Sequence, residues 1–216
     1  MNGVYFGRIH SFYDLNLILA PFTPAPAEPK LNFLEIPGMD GFLDLTEANG
    51  EVKYNSREFE FVFTVAPGDT LTFDERASMV STLFNGKTST ITLDRDPDYY
   101  WYGRCSVSEY NLDRNVGQIT IKATVRPYKT KQEPTEVTAV LSSKEQTVML
   151  ENSGRMAVVP FIDCTGACTI DFYGTTYNLE PGVHQIPEIR LEDSAQLVLQ
   201  VSGSGTITFS WNEGAL

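Results

Sequence analysis

Between Arg57 and Val65 the chain alternates strictly, with Phe59, Phe61, Phe63 and Val65 on one side and Glu58, Glu60, Val62 and Thr64 on the other. A two-residue period belongs to a strand with one buried face, and three phenylalanines on that face need a second apolar layer to cover them. The same alternation returns in Gly117–Val125, which runs into Arg126-Pro127, and in Thr88–Leu93. Sixteen glycines and twelve prolines are scattered as single residues between such short runs, the punctuation of a mainly β chain. At 216 residues with 42% hydrophobic content, the chain can bury one large core or two small ones.

One segment departs from the two-residue period. From Thr72 to Gly86, Ala77, Val80, Leu83 and Phe84 recur at helical spacing, Thr72 and Glu75 stand three apart as in a capping box, and Gly86 is placed to end the helix. This predicts one helix of about three turns packed on a sheet. Upstream, Tyr13, Leu15, Leu17 and Leu19 read as a strand. It runs into Pro21, Pro24, Pro26 and Pro29, which favour an extended linker or an arm across a neighbour. In Ile36–Thr46, Pro37, Gly38, Asp40, Gly41 and Asp44 interrupt an apolar run. They predict a tight turn, after which Phe42, Leu43 and Leu45 resume a strand of the main sheet.

Polar residues 128–137 mark the domain boundary, giving an N-terminal domain over 1–130 and a C-terminal domain over 131–216. Seven strand candidates follow: 146–150, 155–161, 168–173, 176–179, 183–186, 196–201 and 205–211. Short strands at that spacing predict a β-sandwich.

The net charge of −12 opposes nucleic acid and anionic lipid, and the imbalance is steepest after residue 130, where four basic residues face eleven acidic ones. No apolar run approaches the length of a membrane span, and no signal peptide is legible at the start, so synthesis in the cytoplasm without membrane insertion is expected. Candidate chemistry is sparse. Asp94, Asp96 and Asp98 have the opening spacing of a calcium loop, but Tyr99 and Cys105 replace its turn glycine and closing glutamate, which favours a solvated acidic turn. Cys164 and Cys168 fit a thiol pair across a hairpin or two metal ligands; with no second ligand pair following, reduced structural thiols are expected. His10 and His184 lack a nucleophile motif, and no cofactor fingerprint appears, so neither catalytic nor metal residues are assigned and the expectation is a protein that is not an enzyme. Tyr99, Tyr100, Trp101, Tyr173, Tyr177 and Trp211 are the rings available to stack on a glycan or a partner, although Trp211 alternates with Phe209 and Ile207 as a core residue would.

The turn at Ile36–Thr46, the Arg57–Val65 strand, the helix running on to Leu93 with Asp94-Arg-Asp-Pro-Asp-Tyr-Tyr-Trp-Tyr-Gly103-Arg104, and the strand ending at Arg126-Pro127-Tyr128 occur in an order that resembles the distal tail (Dit) proteins of siphophages and prophages. The ending Gly205–Leu216 is also similar to that family's last strand. The resemblance implies an N-terminal, barrel-like β domain with one helix that assembles into a hexameric ring, and a galectin-like C-terminal sandwich. It also implies a place at the tail tip of a virion, between the major tail tube protein and a tail-associated lysozyme or hub protein, with receptor-binding proteins carried outside. The alternative is a carbohydrate-binding module that contacts the host surface through the sandwich.

Overall fold

The computed structural model describes residues 3–48, 50–66, 71–113 and 116–216. The chain forms two compact units, Met1–Lys129 and Thr130–Ala215.

The first unit contains β1 (Val4–Phe6), β2 (Ile9–His10), β3 (Leu17–Leu19), β4 (Phe33–Leu34), β5 (Leu43–Asp44), β6 (Arg57–Val65), α1 (Phe73–Phe84), β7 (Thr88–Leu93), β8 (Asp96–Asp113) and β9 (Val116–Val125). Seven of these strands make one antiparallel sheet in the order β2-β1-β7-β8-β9-β6-β3. Phe59, Phe61 and Phe63 on β6 face Ala123, Ile121 and Ile119 on β9, and all six side chains are buried. Phe6 of β1 lies four strands away from β6, roughly 19 Å along a flat sheet. Yet its ring centroid is 5.5 Å from that of Phe61 and 6.3 Å from that of Phe63. The sheet therefore curls until its two ends share one core.

α1 joins that core through Ala77, Val80 and Phe84. Thr72 is its N-cap, with Oγ1 accepting from the Glu75 N–H while the Glu75 carboxylate accepts from the Thr72 N–H. These two bonds satisfy main-chain donors that the first turn leaves free. The Thr72 N–H, and then the Thr72 hydroxyl, donate to the Glu75 carboxylate and hold it below its usual range. Gly86, at φ 74°, ends the helix as its sequence position suggests.

The N-terminal strands differ from the single alternating run expected there. Residues 11–15 turn, Asn16 takes φ 53°, and Tyr13 is left exposed. The cause is His10, which is buried at the turn. Its Nδ1 accepts from the N–H groups of Phe12 and Tyr13, leaving Nε2 to donate to Asp94 at 3.2 Å. Asp94 also accepts from the Gly3 N–H. Closing this network consumes the residues that would have extended β3.

β10 (Lys129–Lys131) spans the boundary, and the second unit contains β11 (Thr135–Val140), β12 (Gln146–Glu151), β13 (Phe161–Cys164), β14 (Cys168–Phe172), β15 (Thr175–Leu179), β16 (Gly182–Gln185), β17 (Gln196–Gly203), β18 (Thr206–Trp211) and β19 (Gly214–Ala215). Two four-stranded antiparallel sheets, β11-β18-β13-β16 and β12-β17-β14-β15, enclose one core that includes Ile162, Ile207 and Phe209 from the first and Leu150, Ile170 and Leu199 from the second. This is a β-sandwich. Its first strand, β11, begins inside the polar stretch expected to be linker, because Val137 and Ala139 pack on the core while Glu136 and Thr138 face the other way. The strand expected over residues 155–161 is replaced by β13, with only the Val158–Leu191 bridge ahead of it.

Cys164 and Cys168 bring one thiol from each sheet to an Sγ–Sγ distance of 3.0 Å, and both are buried, as is Cys105 in the first unit. Burial pushes the Cys105 thiol up to about 11; burial, and then the hydrogen bond to Cys168, raises Cys164 as well. A thiol raised in the folded state above its unfolded value of 9.0 favours folding fully below that pH. That contribution is expected to disappear as pH climbs from about 9 to 11, a trend that urea titrations across this range measure. At pH 8 iodoacetamide is expected to label the native thiols at least about 100-fold more slowly than in guanidinium chloride, since thiolate fraction and access both fall. Equal rates would contradict the buried placement.

Candidate functional site

The feature of the first unit that its own core does not account for is the hairpin formed by β4 and β5. Phe33 pairs with Asp44 and Leu34 with Leu43, and hydrogen bonds from Asn32 N–H to Thr46 Oγ1 and from Leu45 N–H to Asn32 O extend the ladder by one step. These strands form a ribbon separate from the main sheet. This corrects the expectation that the chain re-enters the main sheet after the turn.

The turn residues shape the tip. Gly38 and Gly41 sit at φ 86° and 80°, values an L side chain resists, and the Met39 N–H donates to Ile36 O. Pro37 and Asp40 lie within the same exposed loop. Asp44 accepts from the Thr46 N–H at 2.9 Å, and its hydrogen bonds to the Thr46 side chain and main chain hold its carboxyl below the usual carboxylate range.

The arm's side chains are of the wrong kind for solvent. Every residue from Glu28 to Asp44 is exposed, and among them Leu31, Phe33, Leu34, Ile36, Met39, Phe42 and Leu43 are each 39–60% accessible. Directly opposed residues share a face and neighbours alternate, so Phe33 lies on one face and Leu34 with Leu43 on the other. Phe42 meets Phe33 at a centroid distance of 4.2 Å. Both faces are thus apolar, and among the described residues neither has a core beneath it. A two-stranded ribbon is marginal by itself.

The base of the arm, in contrast, is fixed. Pro29 bridges to Tyr54, Lys30 N–H donates to Lys53 O, Asn55 N–H donates to Glu28 O, and the Tyr54 ring meets Tyr128 edge-on at 5.8 Å. Arg57 reaches from β6 to donate to the carbonyls of Ala25 and Pro127, with its guanidinium over Phe59 and Trp101. Burial lowers its pKa, and among the described residues no carboxylate pairs with it. This buried cation ties the proline segment to the core.

The candidate aromatic residues separate in the structure. Trp101 and Trp211, each 3% accessible, are core residues and are removed from the contact set: each lies on the inward face of its strand, as Ile91 opposite Trp101 on β7 shows. Tyr177 packs against the sandwich core. Tyr99 is half-buried with the Lys129 ammonium 4.3 Å from its ring centre, and Tyr100 beside it is half-buried too. Tyr173 alone of the six stands in solvent. The three aspartates form no common site: Asp94 binds His10, Asp96 pairs with Lys129 at 2.6 Å, and Asp98 is exposed on β8. Asp94 and Asp96 are engaged in structural bonds rather than solvated as expected, whereas Asp98 faces solvent. His184 contacts the Glu180 carbonyl. No helix among the described residues is long and apolar enough to cross a membrane.

Residues 7–125 match the family described as the phage tail protein RIFT-related domain, which covers more than half of the chain. No curated protein matches it. Among solved structures, the Dit protein of phage SPP1, described as a paradigm of the hub adsorption apparatus in phages infecting Gram-positive bacteria, superposes with a TM-score of 0.69 at 15% identity, covering 98% of this chain and 99% of that one. With this sheet, helix and sandwich in that order, the chain belongs to the phage tail protein family of the RIFT-related domain and carries the Dit fold along its length.

Proposed function

We propose that this protein is the tail-tip hub subunit of a siphophage or prophage, and that six copies close into a ring joining the tail tube to the tail-associated hub protein while anchoring receptor-binding proteins. The observation that carries this reading is the exposed arm: a hairpin apolar on both faces and fixed at its base needs a surface supplied by another chain. A neighbouring copy is the occupant that a tail subunit meets in every assembly. A head-to-tail contact of this kind makes rings when its rotation closes. The fold match to a protein described as a hub supports the same placement. None of the described titratable clusters forms a reactive constellation, and assembly requires none.

Light scattering coupled to size exclusion over a concentration series tests the self-association. The expected species has six times the 24.1 kDa subunit mass, or twelve times if two rings stack. A monomer at every concentration would contradict assembly from this chain alone.

A further inference from the structure

The β14–β15 hairpin turns through only two residues, Tyr173 at φ 50° and Gly174 at φ 80°. Two consecutive positive φ values define the tight hairpin turn whose first position ordinarily takes asparagine, aspartate or glycine. A tyrosine there is an outlier, since its Cβ crowds the backbone. The turn is nevertheless well built: Asp171 accepts from the Gly174 N–H at 3.3 Å and from the Thr176 hydroxyl at 3.4 Å. The strained residue is 89% exposed, so burial does not compensate for its conformation. Its ring leans on Phe172, 4.4 Å away between centroids, and Phe172 is itself packed against the sandwich core. The chain holds an aromatic ring in solvent on a core-mounted support.

That ring borders a cleft. Phe172 and Tyr173 line one side, and Glu188, Arg190, Glu192 and Gln196 supply polar groups around it. Arg190 Nε lies 3.3 Å from Glu192 Oε1, which orients both side chains. Ser194, a second non-glycine residue at positive φ, sits in the loop between Glu192 and Gln196. Backbone strain collected around one concavity is a signature of ligand sites.

We propose that this cleft is a binding site for a neutral saccharide. A pyranose presents a C–H face that stacks on an aromatic ring and an edge of hydroxyls that both donate and accept. Tyr173 offers the ring; Glu188 and Glu192 accept, Arg190 donates, and Gln196 does both. The charges select against anionic polymers. Two carboxylates outnumber one guanidinium in the cleft, and the unit around it carries eleven acidic residues against four basic ones. The site is independent of the hairpin arm, so ring assembly and saccharide binding can fail separately.

Saturation-transfer NMR on the full chain, with neutral oligosaccharides of glucose, galactose, N-acetylglucosamine and rhamnose and with polyglycerol phosphate as the anionic comparison, tests the site. A neutral saccharide is expected to bind, and Tyr173→Asn is expected to weaken it at least about tenfold. Asparagine suits the positive φ, so this variant should melt no lower than the parent, and Glu188→Gln provides a second change in the cleft lining. No transfer to any neutral saccharide at millimolar concentration would overturn the proposal. So would binding that Tyr173→Asn and Glu188→Gln both leave intact, or preferential binding of the polyglycerol phosphate.

Discussion

Replacing Leu31 and Phe42 of the arm with aspartate is expected to abolish self-association of the tail subunit while leaving its fold intact. Both side chains are more than half exposed, so the monomer loses little buried area when they change, and surface substitutions of that kind usually move stability by about 0.5 kcal/mol or less. In a ring contact both would be desolvated, and an unpaired carboxylate there costs several kcal/mol. At about 1.4 kcal/mol per decade, two such changes weaken the contact by at least roughly a thousandfold. Light scattering should then report a 24.1 kDa species whose melting point matches the parent's. An unchanged oligomer would remove the arm from the contact; a collapsed melting point would mean that the arm supports its own subunit.

The same residue type has the opposite consequence in the core. Phe61→Ala is expected to destabilise the first unit by about 4 kcal/mol, the usual range for deleting a buried phenylalanine being roughly 3–5. Phe61 is fully buried, faces Ile121 across the β6–β9 ladder, and meets Phe22 at 4.5 Å and Phe6 at 5.5 Å between centroids. Because it joins β1, β9 and the proline segment, the void it leaves lies where the curled sheet closes. Small domains hold only about 5–15 kcal/mol in total, so this single change consumes much of it. Urea unfolding followed by near-ultraviolet absorption should show the midpoint falling with little change in slope. Phe42→Ala, run alongside, is expected to shift it hardly at all, and comparable losses for the two would contradict the core and arm assignments.

Which parts were legible in the sequence follows from how local their causes are. The β6 strand was legible because Phe59, Phe61 and Phe63 carry their period within nine residues, and α1 because Thr72, Glu75 and Gly86 mark both ends. The sandwich was legible as a class, although β11 was hidden because its Thr and Glu positions look like linker until Val137 and Ala139 are seen to pack. The arm is not legible, for a physical reason. Phe42 and Leu43 are as apolar as core residues, and only the pairing of β4 with β5, outside the main sheet, shows that nothing covers them. Trp101 failed as a surface candidate because its orientation is set by register with β7, a long-range fact. The structural role of His10 is not legible locally, because its partner Asp94 lies 84 residues away. Tyr173 had a readable signal: a Tyr-Gly pair between two alternating runs marks a tight hairpin turn with an unusual first residue.

That the arm belongs to a ring contact is tested most directly by a cryo-electron microscopy map of the assembled tail tip. Six copies are expected around the tail axis, with Phe33, Leu34, Phe42 and Leu43 of each covered by the adjacent copy. A ring in which those four side chains still face solvent, or a tail tip without six-fold copies of this chain, would contradict it.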